Sequence, residues 1–484
     1  MATSVSGNKK FIGRALELKR LKEETQKGSA SFIVIKGRRR IGKSRLVEEF
    51  GKKFDAYYKF EGLAPLLGVG ISQQLEEFSS QISRNFKASK AQYLDFTDAF
   101  SAIAERVSRG KVLIFFDELS WMGNSDPAFL AKLKIVWDNF FSKNNKLVFI
   151  VCSSVSSWIN QNLLSSTAFV GRISLTLTLD ELSLRECSEF WSEGVSAYEK
   201  LKILSLTGGV PRYLEAINFK KSAEENIKNL CFTEGGFFVH EFDSIFSDLF
   251  LRESKFYEKI IRALSDGSKE ISEIQEMICQ GSDFQYLGRL PEYLKELEEA
   301  GFIRRDFTWS IKTGQDSKFS RFRLRDNYLR FYLKYIENNR TKIQRGTFEL
   351  RSLSALSEWR VILGLQFENL VLNNRKIIHE VLGVRPEDIV SENPFLQRKN
   401  SKQAGCQVDY MIQTKFNCLY LCEIKFSMDP IGVSVIDEIK NKITALSIPR
   451  GYSYRPVLIH VNGVTESLKD SGYFSEIVDM SEQF

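Results

Sequence analysis

A short apolar run, Phe32-Ile33-Val34-Ile35-Lys36, opens onto Gly37-Arg38-Arg39-Arg40-Ile41-Gly42-Lys43-Ser44 and then onto Arg45-Leu46-Val47-Glu48-Glu49-Phe50. This is GxxxxGK[ST] with a strand before it and a helix after it, and it constrains the fold more than any other feature of the chain. Gly37 and Gly42 let the backbone curl so that successive N–H groups point inward at an anion. The helix that follows offers its positive end to the same anion. The pattern therefore predicts a nucleotide-triphosphate cradle running from Gly37 to Arg45, with Lys43 reaching the β- and γ-phosphates and Ser44 ligating Mg²⁺. The side chains of Arg38, Arg39 and Arg40 cannot all face a nucleotide. They are expected to point mostly to solvent or to a neighbouring domain, with no part in catalysis.

A second apolar run, Lys111–Phe116, ends in Asp117-Glu118. Continuous apolar strands of this kind belong to a sheet covered on both faces. Ligands in such sheets bind at the carboxyl ends of the strands. Asp117 is thus expected to serve Mg²⁺ and Glu118 to polarise the attacking water, which predicts hydrolysis of ATP and not binding alone. A third run, Leu147–Cys152, ends in Ser153-Ser154, where Ser153 is a candidate sensor of the γ-phosphate. Candidate strands at Ala56–Phe60 and Ile173–Leu179 complete an α/β core over residues 11–180.

The chain has 484 residues, enough for about three domains. Its net charge of +7 permits nucleic-acid binding without arguing for it. Seven cysteines form no CxxC pair and there are only three histidines, which disfavours a Cys/His zinc site and a disulfide framework. Residues 1–10 are polar, without a signal-peptide core, and no apolar run reaches membrane-spanning length. A cytoplasmic protein with no membrane partner is expected.

These marks resemble the archaeal-type P-loop ATPases of the STAND/AAA+ group, related to origin-recognition ATPases, over about residues 11–330. The resemblance rests on Phe11-Ile12-Gly13-Arg14 with Glu17-Leu18, GRRRIGKS, FFDELSWM, VCSSVSSW, Gly171-Arg172-Ile173 and GGVPRYL at Gly208–Leu214. It implies that Gly13 and Arg14 pack near the adenine, that Arg172 stands where an arginine finger sits, and that Arg212 is a sensor arginine on a helical lid at 181–250. An arginine finger requires a neighbouring subunit or a domain closure, so a homo-oligomer stays open.

Residues 251–345 read as a winged helix-turn-helix with a basic connector. Helices are expected at Glu253–Ser265, Ile271–Cys279 and Pro291–Ala300, and strands at Phe302–Ile311 and Lys318–Leu324. The third helix is acidic, a poor match to phosphate. From 321 to 345, however, eight residues are basic and two acidic, and Arg321, Arg323 and Arg325 share one strand face. The wing and the segment after it are expected to meet a DNA backbone. The alternative is a solvated face or a domain-docking module.

Residues 346–484 return to α/β, with a helix near Ser357–Asn373, a strand pair within Gln407–Lys425, a helix near Val433–Leu446 and a strand at Arg455–His460. Glu423 and Lys425 share a strand face, with Asp409 expected beside them on the partner strand. Two carboxylates and a lysine among apolar residues are costly without a task. They are suited to hold Mg²⁺ and activate water for phosphodiester attack. Here the chain resembles the PD-(D/E)XK nuclease superfamily: Asp409 and Glu423-Ile424-Lys425 match its motif, with Val408 in place of the usual Pro, and Gln407 and Glu368 match auxiliary positions. The resemblance implies a restriction-endonuclease-like domain, with Glu368, Asp409 and Glu423 as metal ligands and Lys425 catalytic. The combined expectation is a DNA-directed ATPase coupled to a nuclease-like domain. The rival is a STAND-type switch or scaffold whose C-terminal domain only recognises a partner.

Overall fold

A computed structural model describes residues 10–64, 68–124, 126–250, 254–278, 288–401 and 403–483. The chain divides into two compact units, one mainly of residues up to Glu181 and one mainly from Leu182 onward. Among the described residues no helix is long and apolar enough to cross a membrane.

The first unit is built on five parallel strands: β1 (Ser31–Lys36), β2 (Ala56–Glu61), β3 (Val112–Asp117), β4 (Val148–Ser153) and β5 (Ile173–Thr178). Their order is β2-β3-β4-β1-β5. Every residue of β3 and β4 is buried, because helices cover both faces. The alternation of side chains divides the strands between two cores. Phe32, Val34, Ile114, Phe116, Phe149 and Val151 join a phenylalanine-rich cluster on one face. Ile33, Ile35, Leu113, Phe115, Val148 and Ile150 pack on the other against Leu46, Val47 and Phe50 of the helix Lys43–Gly51. Parallel alignment brings the carboxyl ends of β1, β3 and β4 to one edge.

Helices follow at Ala197–Thr207, Ser254–Ala263, Ile271–Ile278 and Leu290–Glu299, all in the second unit except Ser254 and Lys295–Glu299, which group with the first. The last of these follows a segment outside the described residues, as do the expected helix ends at Glu253 and Cys279. Tyr293 is fully buried against Phe256 and Tyr257. Next come the antiparallel strands β6 (Ile303–Trp309) and β7 (Asp316–Leu324), which Lys269 extends by a reciprocal backbone pair with Phe322. A mixed sheet follows, formed by β8 (Ile389–Gln397), β9 (Cys406–Thr414), β10 (Cys418–Phe426), β11 (Ser453–Val461) and β12 (Glu476–Asp479). β8, β9 and β10 run antiparallel, and β11 and β12 add in parallel. The helix Trp359–Asn373 precedes this sheet and Ser434–Ala445 connects β10 to β11.

The β6–β7 hairpin does not project as a wing. Trp309 and Ile311 enter the core of the C-terminal sheet with Phe395, Val408, Met411, Leu419 and Leu421. The Trp309 indole donates to Gln413 Oε1 at 2.5 Å, and the Gln413 amide donates back to Ile311 O at 2.9 Å. Much of the basic run is paired within the unit, which leaves less of it for the expected phosphate-facing stripe; Lys342 and Arg345 stay exposed. Arg321 meets Glu273 at 3.0 Å and Arg323 is buried on Asp306 at 2.8 Å and Asn369 at 2.6 Å. Lys334 pairs with Asp266 and Arg340 with Asp243. A spacing that repeats on one strand face fixes which residues share a surface, but it does not fix whether water or protein covers that surface.

Trp309→Ala removes an indole that is 3% exposed and should lower stability by about 3–5 kcal/mol. Calorimetric unfolding reads this; a loss below about 1 kcal/mol would show that the hairpin is separable from the sheet.

Candidate functional site

The loop between β1 and the helix Lys43–Gly51 has the backbone that an anion cup requires. Gly37 takes φ 148°, and a Cβ there would lie 2.5 Å from Leu179 O, so no other residue fits. Gly42 takes φ 88° and Arg40 φ 71°. Lys43 is buried, and its ammonium crosses the loop to donate to Gly37 O at 2.8 Å and Arg38 O at 3.1 Å. Arg38 departs from expectation. It turns inward, 5% exposed, and pairs with Glu181 at 3.3 Å. Arg14 also reaches the loop, donating to Ile41 O at 3.1 Å and Asp180 O at 2.5 Å. The Gly13–Arg14 box is thereby brought against the phosphate loop, with Gly13 at φ 70° just before it.

Asp117 closes β3 beside this loop. Its Oδ2 accepts from Ser44 at 2.7 Å and meets Lys59 at 2.9 Å, while Oδ1 accepts from Cys152 Sγ at 2.8 Å. Burial works against its charge, yet Lys59, Cys152 and Ser44 together hold it below the usual carboxylate range. Burial alone would lower the Lys59 pKa, but the partnership with Asp117 carries it well above the ordinary lysine range. A hydroxyl and an ionised carboxylate in contact are hard oxygen donors of the kind Mg²⁺ takes, so Ser44 and Asp117 fit that ion.

Glu118 follows in the left-handed region, φ 51°, which turns its side chain away from the strand line. Glu118 Oε2 accepts from both the amide, at 2.9 Å, and the hydroxyl, at 2.8 Å, of Ser154. The expected sensor, Ser153, is fully buried and donates to Ser120 Oγ at 2.7 Å. Thus Ser154, and not Ser153, touches the acidic pair. Lys59 and Cys152 were also missed; each lies on a neighbouring strand, and no local motif marks either.

Arg172 is not brought to this edge within the chain. It precedes β5, whose Ile173 pairs with Phe32 near the start of β1, about 15 Å along the strand from the phosphate loop. There Arg172 forms a two-pronged bond with Asp138, Nε to Oδ1 at 2.6 Å and Nη2 to Oδ2 at 2.9 Å. Arg212 belongs to the second unit, where it faces Glu215 at 3.6 Å and the Phe237 ring.

Comparison with known proteins bears on the first part of the chain. Residues 11–217 match the family of ATPase domains found predominantly in Archaea. This segment is similar to archaeal-type ATPase domains. An uncharacterized protein of Methanocaldococcus jannaschii is 27% identical over 366 residues, 74% of this chain and 76% of that protein. Among solved structures, a Walker-type ATPase of Pyrococcus abyssi is 16% identical, with TM-score 0.49 over 67% of this chain and 96% of its own. The ORC2 protein of Aeropyrum pernix, solved as ADPNP–ADP complexes, is 15% identical, with TM-score 0.42 over 70% and 98%.

The second unit assembles a second cluster. Tyr410 of β9 pairs with Cys422 of β10, which sets Asp409 beside Glu423, and Asp409 Oδ2 accepts from Ile424 N at 3.0 Å. Burial pushes the Glu423 carboxyl up, and Asp409 pushes it the same way. Lys425 meets Glu423 at 3.2 Å and Glu438 at 2.7 Å. Sequence reasoning missed Lys442, on the helix Ser434–Ala445. Its ammonium lies 2.5 Å from Glu423 Oε2 and 3.5 Å from Asp409 Oδ1. Glu368 is raised to about 7, by burial first and by Asp409 second. Glu368, Asp409 and Glu423 do not gather as a ready set of ligands: among the described residues no three acidic, His or Cys side chains are spaced to hold a metal. A lysine occupies the space between two of them.

Lys442→Met leaves Asp409 and Glu423 without this counter-charge and should cost about 1–3 kcal/mol. Millimolar Mn²⁺ should recover much of the loss of Tm in this variant and move the parent less; equal Mn²⁺ shifts in the two would show that the carboxylates are no cation site.

Proposed function

We propose that the chain binds and hydrolyses ATP at the edge of the first sheet and couples its nucleotide state to a DNA-directed, nuclease-like second unit. The observation that carries the first half is the meeting of Lys43, Ser44 and Asp117 at one loop, with Glu118 next to Asp117 and held by Ser154, inside a segment that matches an ATPase family. In this reading the loop amides and Lys43 hold the β- and γ-phosphates. Magnesium, held by Ser44 and Asp117, supplies neutralising charge to the phosphates when bound. Glu118 orients and polarises the attacking water, and Ser154 fixes one oxygen of Glu118 so that the other keeps a constant direction. Lys59 and Cys152 keep Asp117 ionised and aimed at Ser44.

Support for the nuclease-like half is the juxtaposition of Asp409, Glu423 and Lys425 on adjacent strands, as the PD-(D/E)XK resemblance implies. The basic run 321–345 lends it little, since Arg323 and Arg330 are buried and Arg340 is paired with Asp243. One observation favours the rival of a nucleotide-controlled switch with a non-catalytic C-terminal domain: Lys442 bridges the two carboxylates that would take a metal.

Glu118→Gln should bind ATP with the parent's affinity yet hydrolyse it about 10²–10⁴-fold more slowly, as measured by phosphate release. Undiminished turnover would remove Glu118 from the chemistry. Plasmid incubated with the full chain, Mn²⁺ and ATP should be cut, and Asp409→Ala should abolish cutting. Nucleotide-dependent assembly without any cutting would establish the switch instead.

A further inference from the structure

A cavity of about 290 Å³ lies wholly within the second unit, walled by the hairpin, residues 266–269, the helix Trp359–Asn373 and β8. Arg330 lines it and is 2% exposed. Its guanidinium donates to Ser265 O at 3.1 Å, Gln366 Oε1 at 2.7 Å and Leu324 O at 3.1 Å. All three acceptors are neutral, and Arg330 makes no ion pair among the described residues. A guanidinium has five N–H donors, so two are left over. Thr308 and Asp306 line the same cavity, 8% and 6% exposed, and the Thr308 hydroxyl and Asp306 Oδ1 have no hydrogen-bond partner. Arg321, Arg323 and Glu368 complete its polar wall.

Native interiors rarely tolerate this combination. Buried polar atoms are paired in more than about nine cases in ten. Glu368 on the same wall, with Asp326 and Asp266, acts on Arg330 electrostatically but none of them bonds to it directly, and a buried cation without a direct ionic partner is costly. Water can satisfy the Thr308 hydroxyl, but it gives the two remaining Arg330 donors no anionic acceptor. What fits is a molecule with an anionic group for Arg330 and hydroxyls for Thr308 and Asp306. The volume sits at the lower end of small-ligand pockets, about 300–1,000 Å³, and excludes a duplex. A planar fork of donors is the arrangement that recognises phosphate oxygens.

We infer that this cavity binds a small phosphorylated sugar, free or as part of a mononucleotide, with its phosphate on Arg330 and its hydroxyls on Thr308 and Asp306. The site is separate from the phosphate loop and does not depend on ATP hydrolysis. The test is calorimetry on the full chain with the loop saturated by ADP, using ribose 5-phosphate, ribose and a single-stranded hexanucleotide as probes. Ribose 5-phosphate should bind one-to-one and ribose should not. Thr308→Val, close to isosteric, should weaken binding about 5–10-fold. Arg330→Lys should weaken it more than tenfold while ADP binding stays at the parent's value, which also verifies folding. Should Arg330→Lys fail to fold, Thr308→Val alone decides. Absence of saturable ribose 5-phosphate binding at millimolar concentration, equal affinity in parent and Thr308→Val, or tighter binding of the hexanucleotide than of ribose 5-phosphate would each overturn the assignment.

Discussion

A single buried carboxylate ties the ATPase site together. Asp117 receives Ser44 from the phosphate loop, Lys59 from β2 and Cys152 from β4. Three elements that are distant in sequence are thus locked to the end of β3. The lock needs a charged Asp117, and a carboxylate is expensive to keep charged among apolar residues. Lys59 offsets that cost, and its own charge is secured in return. The geometry of Ser44 and the direction of Glu118, one residue on, follow from where Asp117 is held.

A parallel sheet makes this convergence economical. Strands running the same way deliver their carboxyl ends to one edge, so the loop after β1, the acidic pair after β3 and the serines after β4 become neighbours without any long-range motif linking them. The order β2-β3-β4-β1-β5 sets β4 between β3 and β1. Ser154 can therefore hold Glu118, while Arg172, at the start of β5, stands at the opposite edge.

How much of this was legible in the sequence follows from range. Gly37, Lys43, Ser44, Asp117 and Glu118 announce themselves because each role is set by neighbours a few residues away. Lys59, Ser154 and Lys442 do not, because their roles are conferred by partners 36 residues or more away or, for Lys442, on the neighbouring strands. The strand β8 was unread because its ladder is interrupted at Ile389/Ser391 and Asn393/Phe395, near Pro394, and its residues do not alternate cleanly. Arg321, Arg323 and Arg325 were legible as a shared face, but whether DNA, water or protein meets that face was not. Charge in sequence shows that a counter-charge or acceptor is needed, and here Asp306, Asn369 and Gln366 of the same unit supply it.

The proposed ATP hydrolysis requires that a loop of amides and one ammonium together hold a triphosphate. The direct measurement is calorimetric titration of a non-hydrolysable ATP analogue with Mg²⁺ into the parent chain and into Lys43→Ala. Saturable one-to-one binding in the parent, weakened at least about tenfold in the variant, is the predicted result, a charge-assisted bond being worth about 1.5–3 kcal/mol. Equal affinity in the two proteins, or no binding in either, would contradict it.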